Sequence, residues 1–279
     1  MQCDLDSATI HYEEYGQGRP IVFLHGWSMD HRLESTVYEP IFAARGGWRR
    51  IYPDLPGMGR SLARCIHSQD DVLTALLAFI DRVLSGERFV LSGTSLGGHL
   101  ARAIAALRRE QVAGLLLRVP AVIADTAKRT LPPFCPLVRN EALLAPLDAK
   151  ERAALGDVLV QSPAYLEAHR RQIRELVQPA IAANAPLVAE IRGDPRRYTL
   201  SFDLAEAEKT FTRPTLIVAA RQDTVTGYRD VWDILESYPR ATFAVMDRAT
   251  HSWPIESHRL LAALVEDWLD RLELSEKDA

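Results

Sequence analysis

Five short runs of apolar residues, separated by segments with helical periodicity, constrain the fold of this chain more than any other feature of its sequence. Each run is bounded by Gly, Pro or charged residues, and most are rich in β-branched side chains. Nearly continuous apolarity is typical of strands in a parallel sheet that is covered on both faces. The predicted strands are Ile21–Leu24, Phe89–Leu91, Gly114–Leu117, Thr215–Ala219 and Thr242–Met246. We also expect a weaker strand at Arg49–Tyr52 and an antiparallel strand at Thr9–Tyr15.

Three segments between these runs have the apolar spacing of helices. Asp71–Leu84 has a leucine-rich face, and Ser68 with Asp71 forms a capping box. Leu96–Leu107 is rich in alanine, and Glu256–Leu272 carries one apolar stripe. Alternating strands and helices form right-handed βαβ units. The predicted fold class is therefore α/β, with a doubly wound, mostly parallel sheet.

The alternation of strands and helices is interrupted between Ala121 and Arg213. This stretch contains eight prolines and short helical patches, but no clear strand. We therefore expect residues 121–213 to form a helical cap inserted into a core made of residues 1–120 and 214–279. Because the insertion leaves the sheet after one strand and returns at the next, it is expected to cross near the carboxyl ends of the strands.

Composition excludes several classes of function. The chain has 279 residues, 47% of them apolar, which is enough for a core without disulfide or metal staples. A net charge of −4 leaves no basic excess for nucleic acid, and no run approaches the length of a membrane span. The three cysteines lie far apart and no Cys/His ligand spacing is present, so neither a disulfide framework nor a zinc site is predicted. The expected compartment is the reducing cytoplasm.

The segment Gly93-Thr94-Ser95-Leu96-Gly97 joins the predicted strand at Phe89–Leu91 to the following helix. A G-x-S-x-G sequence between a strand and a helix is a nucleophile elbow, in which the serine occupies a strained turn. The glycines let neighbouring backbone pass closely, and the amino end of the helix favours nearby negative charge. This context predicts Ser95 as a nucleophile.

A serine nucleophile needs a base, and the base needs an acid that orients it. His251 follows the strand predicted at Thr242–Met246, and Asp223 follows the strand predicted at Thr215–Ala219. Both are therefore expected at the carboxyl ends of parallel strands, where α/β sheets place their functional sites. We predict His251 as the base and Asp223 as the acid.

Four motifs, in this order, resemble those of the α/β-hydrolase fold superfamily. They are His25-Gly26-Trp27, Asp54-Leu55-Pro56-Gly57-Met58-Gly59-Arg60-Ser61, Gly93–Gly97 and the Asp223/His251 pair. The resemblance covers nearly the whole chain outside the insertion and implies a serine hydrolase with a Ser-Asp-His triad and a helical cap. It also implies that the backbone N–H groups of Trp27 and Leu96 form an oxyanion hole. In one departure from the pattern, Ala249 and Thr250 stand where a glycine commonly precedes the base.

Other candidate residues have alternative roles. His25 is expected to hold the oxyanion loop, His99 to pack within its helix, and His258 to lie exposed in the last helix. Asp54 is expected to fix the turn after its strand. Asp125 is the rival for the triad acid, because some relatives place the acid after the corresponding strand.

The resemblance implies a cofactor-free serine hydrolase, most simply one that cleaves carboxylic esters of small or medium-sized acids through an acyl-enzyme. A C–C bond hydrolase of the meta-cleavage product type is the enzymatic alternative, because Ser95-Leu96-Gly97-Gly98 is similar to the S-M-G-G of those enzymes. A non-catalytic ligand receptor on the same fold is the alternative from another class. The expected partner is a small-molecule substrate, without a cofactor or a metal.

The cap is expected to act as a lid that shapes an acyl pocket. Candidates for the apolar wall of this pocket are Phe134, Leu137, Leu143, Leu144 and Tyr165. The alternative is that these side chains only pack the cap onto the core.

Overall fold

The computed structural model describes residues 1–252 and 258–277, and its strands join into one sheet. In this described part the strands are β1 (Gln2–Asp4), β2 (Ala8–Tyr15), β3 (Arg19–Leu24), β4 (Trp48–Pro53), β5 (Leu62–Ala63), β6 (Phe89–Thr94), β7 (Val112–Arg118), β8 (Thr215–Ala220) and β9 (Ala241–Met246). Their order is β1-β2-β4-β3-β6-β7-β8-β9, and β5 pairs with β2. Along the sheet, each adjacent pair in the series β4-β3-β6-β7-β8-β9 is parallel. The strand β2 is antiparallel to its three neighbours, β1, β4 and β5.

The predicted fold class, α/β with a doubly wound and mostly parallel sheet, is confirmed. Every predicted strand is present, and each extends slightly beyond its predicted bounds. The strands β1 and β5 were not predicted, because segments of three and two residues are too short to show a period.

Helices cover both faces of this sheet. On one face lie α1 (His31–Phe42) and α12 (His258–Lys277), and on the other lie α2 (Gln69–Leu84) and α3 (Leu96–Leu107). Each pair of helices buries its own apolar cluster against the sheet. The predicted start of the last helix, Glu256, lies outside the described residues, and α12 continues beyond its predicted end.

Local sequence explains where two of these helices begin. Ser68 caps α2 by accepting a hydrogen bond from the backbone N–H of Asp71 at 3.3 Å. Asp30 caps α1 in the same way, by accepting from the N–H of Arg32 at 3.0 Å. The helix α1 was not predicted, and it contains Pro40, a residue that normally ends or kinks a helix.

Residues 121–213, called the insertion below, connect β7 to β8. Its helices are α4 (Glu141–Leu144), α5 (Ala149–Leu155), α6 (Pro163–Gln172), α7 (Gln178–Ala183), α8 (Pro186–Gly193), α9 (Pro195–Tyr198) and α10 (Leu204–Glu208), with a π-helical turn at Ile173–Val177. In the described structure the insertion contains no strand apart from an isolated bridge between Val138 and Val160. After β8 follows α11 (Arg229–Asp233). None of the described helices has the length and apolarity that a membrane crossing requires.

Part of the insertion is attached to the loops that follow β3 and β4. The indole N–H of Trp27 donates to the carbonyl oxygen of Val188 at 3.1 Å, and its ring meets Tyr198 edge-on with centroids 5.4 Å apart. The backbone N–H of Ala185 donates to the carbonyl oxygen of Gly57 at 2.8 Å. The loops of two sequence motifs, at Trp27 and at Gly57, therefore hold this part of the insertion in place.

The helix α3, which begins directly after Ser95, is fixed on its buried side by an ion pair between Arg102 and Glu208. The guanidinium Nε and Nη2 donate to the two carboxylate oxygens at 2.6 and 2.8 Å, and both side chains are almost fully buried. The Tyr238 hydroxyl donates to the same carboxylate. Removal of one charge from such a pair leaves the other buried without a partner, which is strongly destabilising.

We predict that Glu208→Ala lowers the free energy of unfolding by about 3–5 kcal/mol, because the Arg102 guanidinium loses its buried partner. The double variant Arg102→Met/Glu208→Leu should recover most of this loss, since both charges are gone. Asp267→Ala, which removes the exposed partner of Arg271, is the matched control and should change stability by less than about 1 kcal/mol. Urea unfolding measures all three variants, and a Glu208→Ala variant no less stable than the double variant would contradict the prediction.

Candidate active site

Ser95 occupies the turn between β6 and α3 with a left-handed backbone, at φ 55° and ψ −120°. A serine in this conformation is strained, so the surrounding structure must hold it. A Cβ on Gly93 would lie 2.3 Å from the carbonyl oxygen of Gly97, and a Cβ on Gly97 would lie 2.3 Å from the carbonyl oxygen of Leu24. Only glycine fits at either position, and the backbone forms the predicted elbow.

Hydrogen bonds and a buried ion pair lie around this elbow. The Ser95 N–H donates to the carbonyl oxygen of Arg118 at 3.0 Å, and the Ser95 carbonyl oxygen accepts from the N–H of Ala121 at 2.8 Å. The Arg118 guanidinium pairs with Glu34 at 3.0 Å, and each side chain is 1% exposed. Thr94 donates to the same carboxylate at 2.9 Å. This pair was not predicted; an arginine ending an otherwise apolar strand was the available signal.

The side chains predicted as base and acid meet at Ser95. The Nε2 atom of His251 lies 3.0 Å from the Ser95 Oγ, and its Nδ1 atom lies 2.9 Å from the Asp223 Oδ2. An ionised carboxylate only accepts hydrogen bonds, so Nδ1 carries a proton and, in the neutral ring, Nε2 accepts from the serine hydroxyl. The geometry is that of an activated nucleophile, base and orienting acid.

Asp223 is fully buried and satisfied by several donors. Its Oδ1 accepts from the backbone N–H groups of Val225 and Thr226, both at 2.8 Å, and its Oδ2 accepts from the Thr226 hydroxyl at 2.7 Å. Burial alone would raise the pKa of this carboxyl. The charge and hydrogen bond of His251, together with the hydrogen bonds from Thr226, outweigh burial and lower the pKa to about 2. Asp223 is therefore ionised throughout the neutral range.

The loop that carries Trp27 runs beside the nucleophile. A Cβ on Gly26 would lie 3.3 Å from the Ser95 Cβ, so this loop approaches the elbow closely. His25 is fully buried, accepts from the Leu55 N–H at its Nε2 atom, and donates from Nδ1 to the Gly26 carbonyl oxygen at 2.8 Å. His25 thus holds this loop, as expected. Because Leu96 is the first residue of α3, its N–H has no acceptor within the helix.

The two other aspartates have local structural contacts. Asp125 caps a short 3-10 turn by accepting from the Ala127 N–H at 3.1 Å, and it pairs with Lys128 at 3.4 Å. The contact with the base is made by Asp223 instead, so the geometry favours the first choice of acid over this rival. Asp54 accepts from the backbone N–H of Arg60 at 2.8 Å, which fixes the turn after β4.

The structure confirms the expected environment of His99 but not that of His258. His99 is buried in α3, with its Nδ1 atom 3.1 Å from the carbonyl oxygen of Ala121. Burial lowers the pKa of His99 to about 3, so this side chain is neutral and packed, as expected. The expectation that His258 is exposed is wrong. It is half-buried at the start of α12 and lines a cavity with residues of α1 and α6.

A cavity of about 500 Å³ opens at Ser95 and His251. Apolar lining from the insertion includes Leu155, Ile173, Val177 and Tyr198. The five wall residues suggested by the sequence do not line this cavity. Phe134, Leu143, Leu144 and Tyr165 belong to a separate apolar cluster within the insertion, and Leu137 is largely exposed. The sequence of such segments does not show which side faces the sheet, and here other residues of the insertion pack against all of these side chains except Leu137.

The charged side chains in this cavity are unevenly balanced. Besides Arg118, which pairs with Glu34, Arg129 and Arg192 line it together with the carboxylate of Asp157. This carboxylate accepts from the Thr224 hydroxyl at 2.8 Å. Arg129 is half-buried, and burial lowers the pKa of its guanidinium, with Arg192 adding to the effect and Tyr198 opposing it. Arginine remains charged under all ordinary conditions, so the cavity is positive on this side.

Several esterases and a lipase are among the proteins that this chain resembles in sequence. The pimeloyl-[acyl-carrier protein] methyl ester esterase of Shewanella woodyi is 27% identical over 274 residues, or 95% of this chain and 99% of that protein. The lipase LipV of Mycobacterium tuberculosis is 32% identical over 165 residues, or 57% of this chain and 59% of that protein. The predicted function, a serine hydrolase of the esterase type, is confirmed, and the C–C bond hydrolase and the receptor are not favoured.

Similarity in structure and in family pattern extends over most of the chain. An alpha/beta superfamily hydrolase from Oenococcus oeni superposes with a TM-score of 0.83 at 25% identity, covering 98% of this chain and 99% of that one. A sequence model of the alpha/beta hydrolase family matches residues 21–264. Since these residues include the elbow, the predicted acid and the predicted base, the match agrees with the geometry of the site. The chain belongs to the alpha/beta hydrolase family.

Proposed function

We propose that this esterase-type hydrolase cleaves carboxylic esters of small or medium-sized acids through an acyl-enzyme on Ser95. The observation that carries the proposal is the continuous line of contacts from Asp223 through His251 to the Ser95 Oγ, at 2.9 and 3.0 Å. Ser95 and His251 line a cavity of about 500 Å³. This volume is large enough for a small ester, since ligand sites span about 300–1,000 Å³.

In the proposed mechanism, His251 Nε2 accepts the hydroxyl proton while the Ser95 Oγ attacks the ester carbonyl carbon. The backbone N–H groups of Trp27 and Leu96 stabilise the negative charge on the carbonyl oxygen. Asp223 stabilises the imidazolium, which then gives its proton to the leaving alcohol. The same histidine next activates a water molecule, which attacks the acyl-enzyme and releases the acid.

The insertion acts as a lid in this proposal, so the chain divides into a core (1–120 and 214–279) and a cap (121–213). Support comes from the cavity lining, in which Ile173, Val177 and Tyr198 from the insertion face Ser95 and His251 from the core. A cover of this kind excludes water and limits the size of the acyl group.

The preferred ester, we further propose, carries a negatively charged group away from the bond that is cleaved. Arg129 and Arg192 line the cavity, and within residues 1–252 and 258–277 neither guanidinium forms an ion pair with a carboxylate. Arg129 instead donates to the carbonyl oxygens of Ile123, Ala124 and Val225, at 2.7, 3.0 and 2.8 Å. These carbonyls fix its position and leave its positive charge available to a substrate anion.

Ser95→Ala is expected to abolish both hydrolysis of 4-nitrophenyl esters and labelling by a fluorophosphonate probe, because no Oγ remains to form the covalent bond. Ser252→Ala is the matched control, since Ser252 lines the same cavity, and it should still be labelled. Mass spectrometry of the labelled protein locates the adduct. An adduct on another serine would refute the assignment of the nucleophile.

Asp223→Asn should lower kcat by about 10⁴-fold, because the amide no longer holds the proton on Nδ1 or stabilises the imidazolium. Asp125→Asn should leave kcat near the wild-type value. Steady-state kinetics with one 4-nitrophenyl ester compare the two variants. The opposite pattern, with only Asp125→Asn impaired, would move the acid to Asp125.

Arg192→Gln should lower kcat/KM about tenfold or more for a monomethyl dicarboxylate, because a hydrogen bond to a charged group is lost. The same variant should not change kcat/KM for the methyl alkanoate of equal chain length. Arg196→Gln is the control, since Arg196 is exposed and pairs with Asp194. Hydrolysis is followed by acid release. Equal kcat/KM values for the charged and uncharged esters in the wild-type enzyme would rule out an anionic substrate, while leaving the esterase activity in place.

A further inference from the structure

A second group of functional side chains lies outside the cavity, where β2 meets the first turn of α1. His11 and Glu13 are two residues apart on β2, so their side chains point to the same face of the strand. His31, the first residue of α1, faces them, and its Nε2 atom lies 3.4 Å from the Glu13 Oε1. One ligand atom from each of the three residues lies within 4.8 Å of the other two.

The Nε2 atom of His11 is a buried polar atom without a hydrogen-bond partner in the described structure. The His11 side chain is 8% exposed, and its ring centroid lies 5.4 Å from that of His31. An unsatisfied buried polar atom of this kind is destabilising unless a ligand or ion completes it. His11 offers a ring nitrogen to the group of three residues, and its Nε2 atom makes no hydrogen bond elsewhere in the described structure.

The contacts behind these residues suit metal ligands. The Nδ1 atom of His31 lies 2.8 Å from the Oδ1 of Asp54, a fully buried carboxylate. A histidine that donates from one ring nitrogen to a carboxylate presents the lone pair of the other, which is the usual arrangement behind a metal-bound histidine. The second oxygen of Glu13 accepts from the Tyr15 hydroxyl at 2.5 Å, which orients this carboxylate as well.

We propose that His11, Glu13 and His31 bind a Zn²⁺ ion, with the two Nε2 atoms and one carboxylate oxygen as ligands. Two imidazoles and a carboxylate form a set of ligands that favours zinc over calcium or magnesium. Tetrahedral zinc with bonds of about 2.0–2.1 Å places its ligand atoms roughly 3.3 Å apart. The pair at His31 and Glu13 already has nearly this separation, and the half-exposed Glu13 side chain has room for a small movement toward His11. The charges of Glu13 and Asp54 together balance the two charges of the ion.

The role of such an ion is structural. None of its three ligands lines the cavity at Ser95. The ion would join β2 to the start of α1 and, through Asp54, to the turn after β4. Leu55, the next residue in this turn, donates to His25, which holds the loop of Trp27. Zinc binding thus stiffens the base of the loop that carries a predicted oxyanion donor.

The site was not expected from the sequence, because its ligands do not have the close Cys/His spacing of common zinc motifs. His11 and His31 lie on a strand and on a helix, and only the folded chain brings them together.

The proposal is tested on the full chain, freed of metal with a chelator and titrated with Co²⁺ and then with Zn²⁺. The wild-type protein should bind one equivalent of Co²⁺ with visible absorption bands of a four-coordinate ion, and Zn²⁺ should displace it. His11→Ala and the milder Glu13→Gln should each weaken binding by at least about 100-fold, since each removes a direct ligand. His67→Ala, which changes an exposed histidine elsewhere, is the control and should bind like the wild type.

Thermal unfolding provides a second measurement that does not depend on activity. Saturating Zn²⁺ should raise the Tm of the wild-type protein and of His67→Ala, but not the Tm of Glu13→Gln, because only the native site binds the ion. Circular dichroism confirms that each variant is folded. No saturable binding by the wild type, or binding that is unchanged in both ligand variants, would overturn the proposal.

Discussion

The site depends above all on the close approach of backbone around Ser95. Gly97 lies against the carbonyl oxygen of Leu24 with no room for a side chain, so the start of α3 is pressed directly onto the end of β3. Within the described residues, positive φ values also occur at Ser28 and Val119, in the two loops next to this elbow. Conformations of this kind persist only where neighbouring structure over-determines them. The central strands supply that support, and Ser95, the proposed nucleophile, is held so that it needs little reorganisation before it reacts.

Features that are local in sequence could be predicted before the structure was known. The elbow is specified by five consecutive residues, and the predicted strands by short apolar runs between turn residues. The placement of Asp223 and His251 beside Ser95 could also be predicted, because parallel strands bring their carboxyl ends to one edge of the sheet. To predict that these side chains meet, only this rule and the order of the residues along the chain were needed. In the structure the two contacts of His251 measure 2.9 and 3.0 Å.

Contacts between distant residues could not be predicted where no rule of sheet topology brings the residues together. Glu34 and Arg118 pair across 84 positions, and although an arginine at the end of an apolar strand is unusual, nothing in the sequence indicates that Glu34 is its partner. The prediction of which apolar side chains of the insertion line the cavity was wrong for a similar reason. Phe134 and Tyr165 have partners inside the insertion, and only the packed structure shows that their apolar sides are already covered. Composition and periodicity measure how much must be buried, but not against which neighbour.

Trp27 has two connections that act at the same time. Its backbone N–H belongs to the loop beside Ser95, whereas its indole is bonded to Val188 and packed on Tyr198 in the insertion. Any displacement of this part of the insertion must break the indole hydrogen bond and pull on the same residue. In the proposed mechanism, opening the cavity to exchange substrate and product is thus mechanically linked to the alignment of the Trp27 N–H, the proposed oxyanion donor. Under that mechanism the enzyme reaches full catalytic geometry only with this part of the insertion in place, and it releases product only by giving that geometry up.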